Sequence, residues 1–295
     1  MTMHPTGEQY RISAGRYAVE VTEVGATLRS LAVDGVEWLW TFEADAIPRA
    51  SQGKQLLPWP NRVADGRYRF GGQDLQLDIT EVRRHTALHG LNAGRAWELV
   101  SHSEHEVVQR HTFYPENGWQ GILTAQLTHT VSDAGLRVQV DVVNDGATPL
   151  PYGYGVHPYF RFDVLDDVTL TLPFASELFV DPERLLPIEL GPVNPEHDFQ
   201  QPRPLGTVEF DTALTSPSSD QWSVMLDGDG RRVRIWADAT LPWVQVYTTR
   251  AEQHAIAVEP MTCGPDAYNE GPTQSSVVVL EPGEAMSSVW GVAAD

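Results

Sequence analysis

The chain has 295 residues, 41% of them hydrophobic, with 40 acidic against 20 basic side chains and a formal charge of −20. That acidic excess argues against a nucleic-acid or anionic-membrane surface, because either needs a basic footprint. The hydrophobic share is enough for a globular core, and all-β chains of this length commonly form one domain, so a single domain over residues 1–295 is expected.

Lys54 is the only lysine, and no basic cluster or glycine-rich phosphate loop is present. Cys263 is the only cysteine, which rules out an intramolecular disulfide and fits a reducing compartment. Residues 1–8 lack a basic segment followed by an apolar one, and no stretch approaches the ~20 apolar residues that span a bilayer. A soluble cytoplasmic protein is the expectation.

Along the chain, period-two alternation dominates and helical periodicity is scarce. Tyr17, Val19 and Val21 fall two apart, and a second run passes through Leu28, Leu31 and Val33. Asp34-Gly35 then reads as a hairpin turn before Val36, Trp38 and Trp40. Leu123, Ala125 and Leu127 face Leu136, Val138, Val140 and Val142 across Ser132-Asp133-Ala134-Gly135, the clearest hairpin in the chain. Asp227-Gly228-Asp229-Gly230 joins Val224 and Leu226 to Val233 and Ile235, and further alternation follows at Val244, Val246, Ile256, Val258, Val277 and Val279. Residues 185–204 are proline-rich with little periodicity and read as a surface loop. The pattern predicts an all-β fold, a large antiparallel β-sandwich with any site on a concave face or at loop ends.

Five polar islands interrupt this pattern. Pro58-Trp59-Pro60 is stiff and presents Asn61 and Arg62, whose donors suit hydroxyl oxygens. His89 is followed by Gly90, which by itself suits a turn histidine. His157 sits in Tyr152-Gly153-Tyr154-Gly155-Val156-His157-Pro158-Tyr159-Phe160, where glycine weakens a strand unless something must come close. Alone it reads as a capped structural histidine. Asp211, in Phe210-Asp211-Thr212-Ala213-Leu214, could start a turn. Glu259 ends an apolar run before Pro260 and must be solvated, paired or functional, since burying an unpaired charge is costly. His102, His105 and His111 look solvated, and their spacing builds no zinc site.

Taken together, Pro58-Trp59-Pro60-Asn61-Arg62-Val63, Leu88-His89-Gly90, Gly155-Val156-His157-Pro158-Tyr159-Phe160 and Val258-Glu259-Pro260-Met261-Thr262 resemble, in order and separation, the aldose 1-epimerase (galactose mutarotase) family. The resemblance runs from about Tyr10 to Val292. It implies that family's large antiparallel supersandwich and a small-molecule sugar substrate, with no metal and no cofactor. It also implies His157 as general acid and Glu259 as general base, with Arg62, His89 and Asp211 holding the sugar. Asp211 keeps only part of the family pattern, and His89-Gly90-Leu91 stands where many members have His-Gly-Gly.

Such a pair suits mutarotation, which removes a proton from the anomeric hydroxyl and delivers one to the ring oxygen. Each positioned transfer is worth ~10²–10⁴-fold. Desolvation is expected to raise Glu259, a nearby carboxylate to keep His157 protonated, and the glycines around His157 to leave room for a sugar ring. Two other readings remain: an epimerase of hexose 6-phosphates, with Arg67, Arg69, Arg83 and Arg84 as possible clamps, and a non-catalytic sugar-binding protein of the same fold.

Overall fold

A computed structural model describes residues 3–250 and 254–295, so the first two residues of the N-terminal segment lie outside it. Among the described residues the helical pieces are three short 3-10 turns, Asn92–Gly94, Leu165–Asp167 and Gln274–Ser276. Alternation explains this: it buries one face of a strand and offers no continuous stripe to a helix.

Nine strands form one sheet in the spatial order Glu98–His102, Glu106–Phe113, Leu123–Ser132, Gly135–Asn144, Ala285–Ala294, Arg231–Ala237, Trp222–Gly228, Thr169–Thr171 and Arg203–Pro204. A second sheet runs Pro187–Pro192, Phe174–Val180, Asp211–Pro217, Trp243–Thr249, Ala255–Met261, Gly155–Val156 and Gln55–Leu56. Tyr159–Arg161 also pairs with Ala255–Met261. The pairings in both sheets are antiparallel. Leu127, Val140, Val224 and Ile235 of the first sheet share one buried cluster with Val244, Val246, Ile256 and Val258 of the second. Each such side chain contributes ~1.5–3 kcal/mol by leaving water. The expected antiparallel sandwich is present.

The three predicted hairpins form at their turns. Residues 185–204 depart from the expected loop. They hold the edge strand Pro187–Pro192 and the short strand Arg203–Pro204. An edge strand pairs on one side only and tolerates proline, so Ile188 and Leu190 stay exposed and show no buried alternation.

Register explains where a site can lie. Val244 and Val246 enter the core, so Gln245 and Tyr247 face the other way. Gln245 pairs with Glu259, Tyr247 with both Ala257 and Asp211, and Tyr159 with Ala257. Asp211, Tyr159, Gln245, Tyr247 and Glu259 therefore share one face of the second sheet. Ala213, Ala255 and Ala257 lie on the same face, the last two packed beneath Tyr159. Beneath this face, the Trp290 indole N–H donates to the Tyr154 hydroxyl (2.8 Å), which donates to Gln55 Oε1 (2.7 Å), tying the two sheets together under the His157 segment.

One core residue carries a stability prediction. His129 is fully buried in the first sheet, and neither ring nitrogen has a protein partner. Burial pushes its pKa down to about 3. Below about pH 6.5 the unfolded chain takes up a proton that folded His129 refuses, so this residue makes stability fall as pH drops towards 3, by up to ~1.4 kcal/mol per pH unit. In urea unfolding between about pH 7 and 4.5, His129→Leu should reduce the pH slope by on the order of 1 kcal/mol per unit. Equal slopes in the two proteins would contradict this.

Candidate active site

The concave face holds a cavity of about 380 Å³, and Arg62, His89, His157, Asp211 and Glu259 all line it. Residues from five separate islands of the sequence thus meet in one place.

Glu259 does not end its strand. Ala255–Met261 continues past it, and Glu259 is 1% exposed rather than solvated. His157 Nε2 lies 3.2 Å from Glu259 Oε1, while His157 Nδ1 and Glu259 Oε2 have no protein partner. Buried polar atoms are nearly always bonded, so both atoms remain open to a partner from outside the chain. The backbone fixes the imidazole: His157 N–H donates to the Lys54 carbonyl (3.0 Å), and Gly53 N–H donates to the His157 carbonyl (2.9 Å). The Tyr159 ring stacks on it with centroids 4.7 Å apart, and the Tyr159 hydroxyl is held by the Ala50 carbonyl (3.0 Å).

The glycines have a different use from the one expected. A Cβ on Gly155 would meet Pro60 Cβ at 2.8 Å, and one on Gly153 would meet Cys263 Sγ at 2.6 Å. They allow the His157 segment to press against Pro60 and Cys263.

His89 lies at the end of Thr86–Leu88, which pairs with Arg62–Ala64. Asn61 and His89 both take positive φ (56° and 64°), and the His89 N–H donates to the Asn61 carbonyl (2.9 Å). Asn61 N–H in turn donates to His89 Nδ1 (3.2 Å), which makes Nδ1 an acceptor and assigns the ring proton to Nε2. Desolvation, with smaller pushes from neighbouring basic groups such as Arg62 and Lys54, holds His89 well below the usual histidine range. A neutral ring with a free Nε2–H stands edge-on to His157, centroids 5.5 Å apart.

A hydrogen-bond chain crosses the site. Arg62 Nη1 donates to Asn61 Oδ1 (3.3 Å), Asn61 Nδ2 to Gln245 Oε1 (3.3 Å), and Gln245 Nε2 to Asp211 Oδ1 (2.8 Å). Asp211 begins the strand Asp211–Pro217 instead of a turn, with its side chain in contact with solvent. Gln245 is a central residue that the sequence reading missed. The available signal was its place opposite Val244 and Val246 in the alternation, beside Glu259 in register.

Burial favours the neutral forms of His157 and Glu259. Burial, then the charge of Asp211, pushes Glu259 well above the usual carboxylate range, with Arg62 opposing. Burial also pushes His157 down to about 3, with a smaller push from Lys54. The expectation that a carboxylate would keep His157 protonated is not met: desolvation sets the downward direction for His157 and the upward one for Glu259. The pair holds one mobile proton between two groups in contact, next to donors from Arg62 and His89. That arrangement can take a proton from one oxygen of a polyhydroxyl ligand and give one to another. Among the described residues no group of three or more His, Cys, Asp or Glu could hold a metal ion.

Relatives agree with this fold. Residues 8–292 match the family described as aldose 1-epimerase. The uncharacterised Escherichia coli protein YihR is 30% identical over 287 residues, covering 96% of this chain and 92% of its own. A galactose mutarotase-like protein from Clostridium acetobutylicum superposes with a TM-score of 0.86 at 18% identity, covering 97% of this chain and 94% of its own. The GalM/aldose epimerase homologue from C. elegans gives 0.84 at 19%, with 98% of each chain covered. The chain belongs to the aldose 1-epimerase family.

Proposed function

We propose that the protein is an aldose 1-epimerase that interconverts the α and β anomers of free aldoses such as glucose or galactose. The observation that carries this reading is the buried 3.2 Å contact between His157 and Glu259 in a cavity lined with polar donors and acceptors. In the proposed reaction Glu259, as carboxylate, takes the proton of the anomeric hydroxyl while imidazolium His157 gives one to the ring oxygen. The C1–O5 bond breaks and C1 becomes an aldehyde carbon. Rotation about C1–C2 presents the other face of the carbonyl. Closure then returns the first proton from Glu259 to O1 and the second from O5 to His157, so no proton is gained or lost in a cycle.

The neutral pair has the same proton count as this carboxylate–imidazolium form. Moving one proton from Oε1 to Nε2 converts one into the other, and the positive charge of Arg62 favours the carboxylate. His89, through Nε2–H, Arg62 and Asp211 are assigned to hold sugar oxygens.

A hexose 6-phosphate is the competing substrate. Arg62 and Arg84 are both bound to Glu81, and Arg83 is the cavity arginine without a carboxylate partner among the described residues. Arg67 and Arg69 lie outside this cavity and belong to no clamp on it. One free guanidinium is a weak phosphate site compared with converging arginines, so a higher kcat/KM is expected for glucose than for glucose 6-phosphate. A phosphate preference would reverse the assignment.

In polarimetry on freshly dissolved α-glucose and α-galactose, the protein should accelerate mutarotation over buffer. Glu259→Gln should lose about 10²-fold or more while keeping its fold, and His157→Ala should lose a comparable factor. Full activity in either variant would withdraw that residue's role, and a sugar-dependent thermal shift without acceleration would indicate a binding protein. The pH profile offers a separate check. The singly protonated pair persists from His157's value of about 3 up to the raised value of Glu259, so kcat/KM should show no acid limb near pH 6.5. A midpoint at an ordinary histidine pKa would contradict the pair's neutrality.

A further inference from the structure

We infer that Glu81 is a positioning residue for Arg62, fixing the guanidinium plane so that its remaining donors address the substrate. The inference rests on the acid–base reading above, because it assigns Arg62 to the sugar. Glu81 belongs to none of the motifs that resemble the family, and its isolated place in the sequence gave no sign of a role.

Glu81 accepts Arg62 Nε on Oε2 (2.8 Å) and Arg62 Nη2 on Oε1 (3.1 Å), a two-point grip that sets both position and plane. The carboxylate is itself held. Arg84 Nη1 donates to Oε1 (2.8 Å) and the Thr86 hydroxyl to Oε2 (2.7 Å). Its main chain pairs both ways with Thr86, N–H to carbonyl at 3.0 and 3.2 Å. Thr86 opens the strand that pairs with Arg62–Ala64 and leads into His89. The support for Arg62 and the backbone that delivers His89 are therefore one unit.

With Nε and Nη2 on Glu81 and Nη1 on Asn61, three of the guanidinium's five N–H donors are engaged. Two remain, and their directions are set by the grip. Desolvation works to raise the Glu81 carboxyl, but the bonds from Arg62 and Thr86 outweigh it and the net shift is downward, so the grip stays ionised. The alternative partners for Arg62 are the other cavity carboxyl groups, Asp211 and Glu259, both of which its positive charge already pulls towards ionisation. Without Glu81 the guanidinium is free to swing towards them and to occupy the oxygen that the reaction needs.

The test uses the full chain, with turnover followed by polarimetry and affinity by calorimetry with 1,5-anhydroglucitol, a closed ring lacking the anomeric hydroxyl. Glu81→Gln should lower kcat/KM by ~10- to 10²-fold, as a misplaced contact does, and weaken the analogue. In an Arg62→Met background the same change should cost little further, because Glu81 acts through Arg62. A residue that only supports the fold would cost the same factor in both backgrounds, and that result, or wild-type kcat/KM and affinity in Glu81→Gln, overturns the inference. Should Glu81→Gln not fold, Thr86→Val removes one of the carboxylate's tethers. A loss confined to the Arg62 background supports the inference, and an equal loss in both refutes it. If the wild type binds the analogue without accelerating mutarotation, the catalytic reading fails while the affinity arm still decides the role of Glu81.

Discussion

Burial of one imidazole against one carboxylate is the constraint on which the site depends. Two ionisable groups taken out of water on a sheet face lose the stabilisation of their charged forms, and at 3.2 Å the less costly arrangement is a shared proton. Much of the surrounding structure serves to hold that contact. Tyr159 is stacked on the imidazole, Gly155 lets its segment close on Pro60, and the hydrogen bonds to residues 53–54 pin its backbone. Glu259 needs no such scaffolding, because it is set by its register against Gln245 in the middle of a sheet.

Charge around the pair is arranged in opposition. Asp211 pushes the Glu259 proton affinity up and Arg62 pulls it down, while Glu81 neutralises part of Arg62 and holds it away from both. The chain Arg62–Asn61–Gln245–Asp211 links cation to carboxylate through two amides, so neither amide can turn without breaking bonds at both ends. A neutral polyhydroxyl ligand suits a wall of fixed donors and acceptors with little uncompensated charge.

Much of the architecture was readable in the sequence, for a physical reason: in an antiparallel sandwich the core face repeats every second residue, so Leu123 to Val142 and Val224 to Ile235 declare their own strands and turns. The short motifs carrying Arg62, His89, His157 and Glu259 were legible as well, because stiff Pro and Gly positions surround them. What stayed hidden depends on partners far away in sequence. Glu259 looked like a strand end because Pro260 follows it, yet the sheet continues on both sides. His157 seemed open to protonation because burial from Tyr159 and the neighbouring strand has no sequence signature. Gln245 and Glu81 are ordinary polar residues until register and pairing bring them beside Glu259 and Arg62. The edge strand Pro187–Pro192 lacks alternation because neither of its faces is fully covered.

The central claim is that this one-proton pair opens and closes a sugar ring. Exchange NMR on galactose at anomeric equilibrium measures that event directly, as magnetisation passing between the α and β anomeric protons. The account predicts cross-peaks that grow with protein concentration and vanish when Glu259→Gln replaces the wild type at equal concentration. Exchange no faster than in buffer, or equally fast with Glu259→Gln, would contradict it.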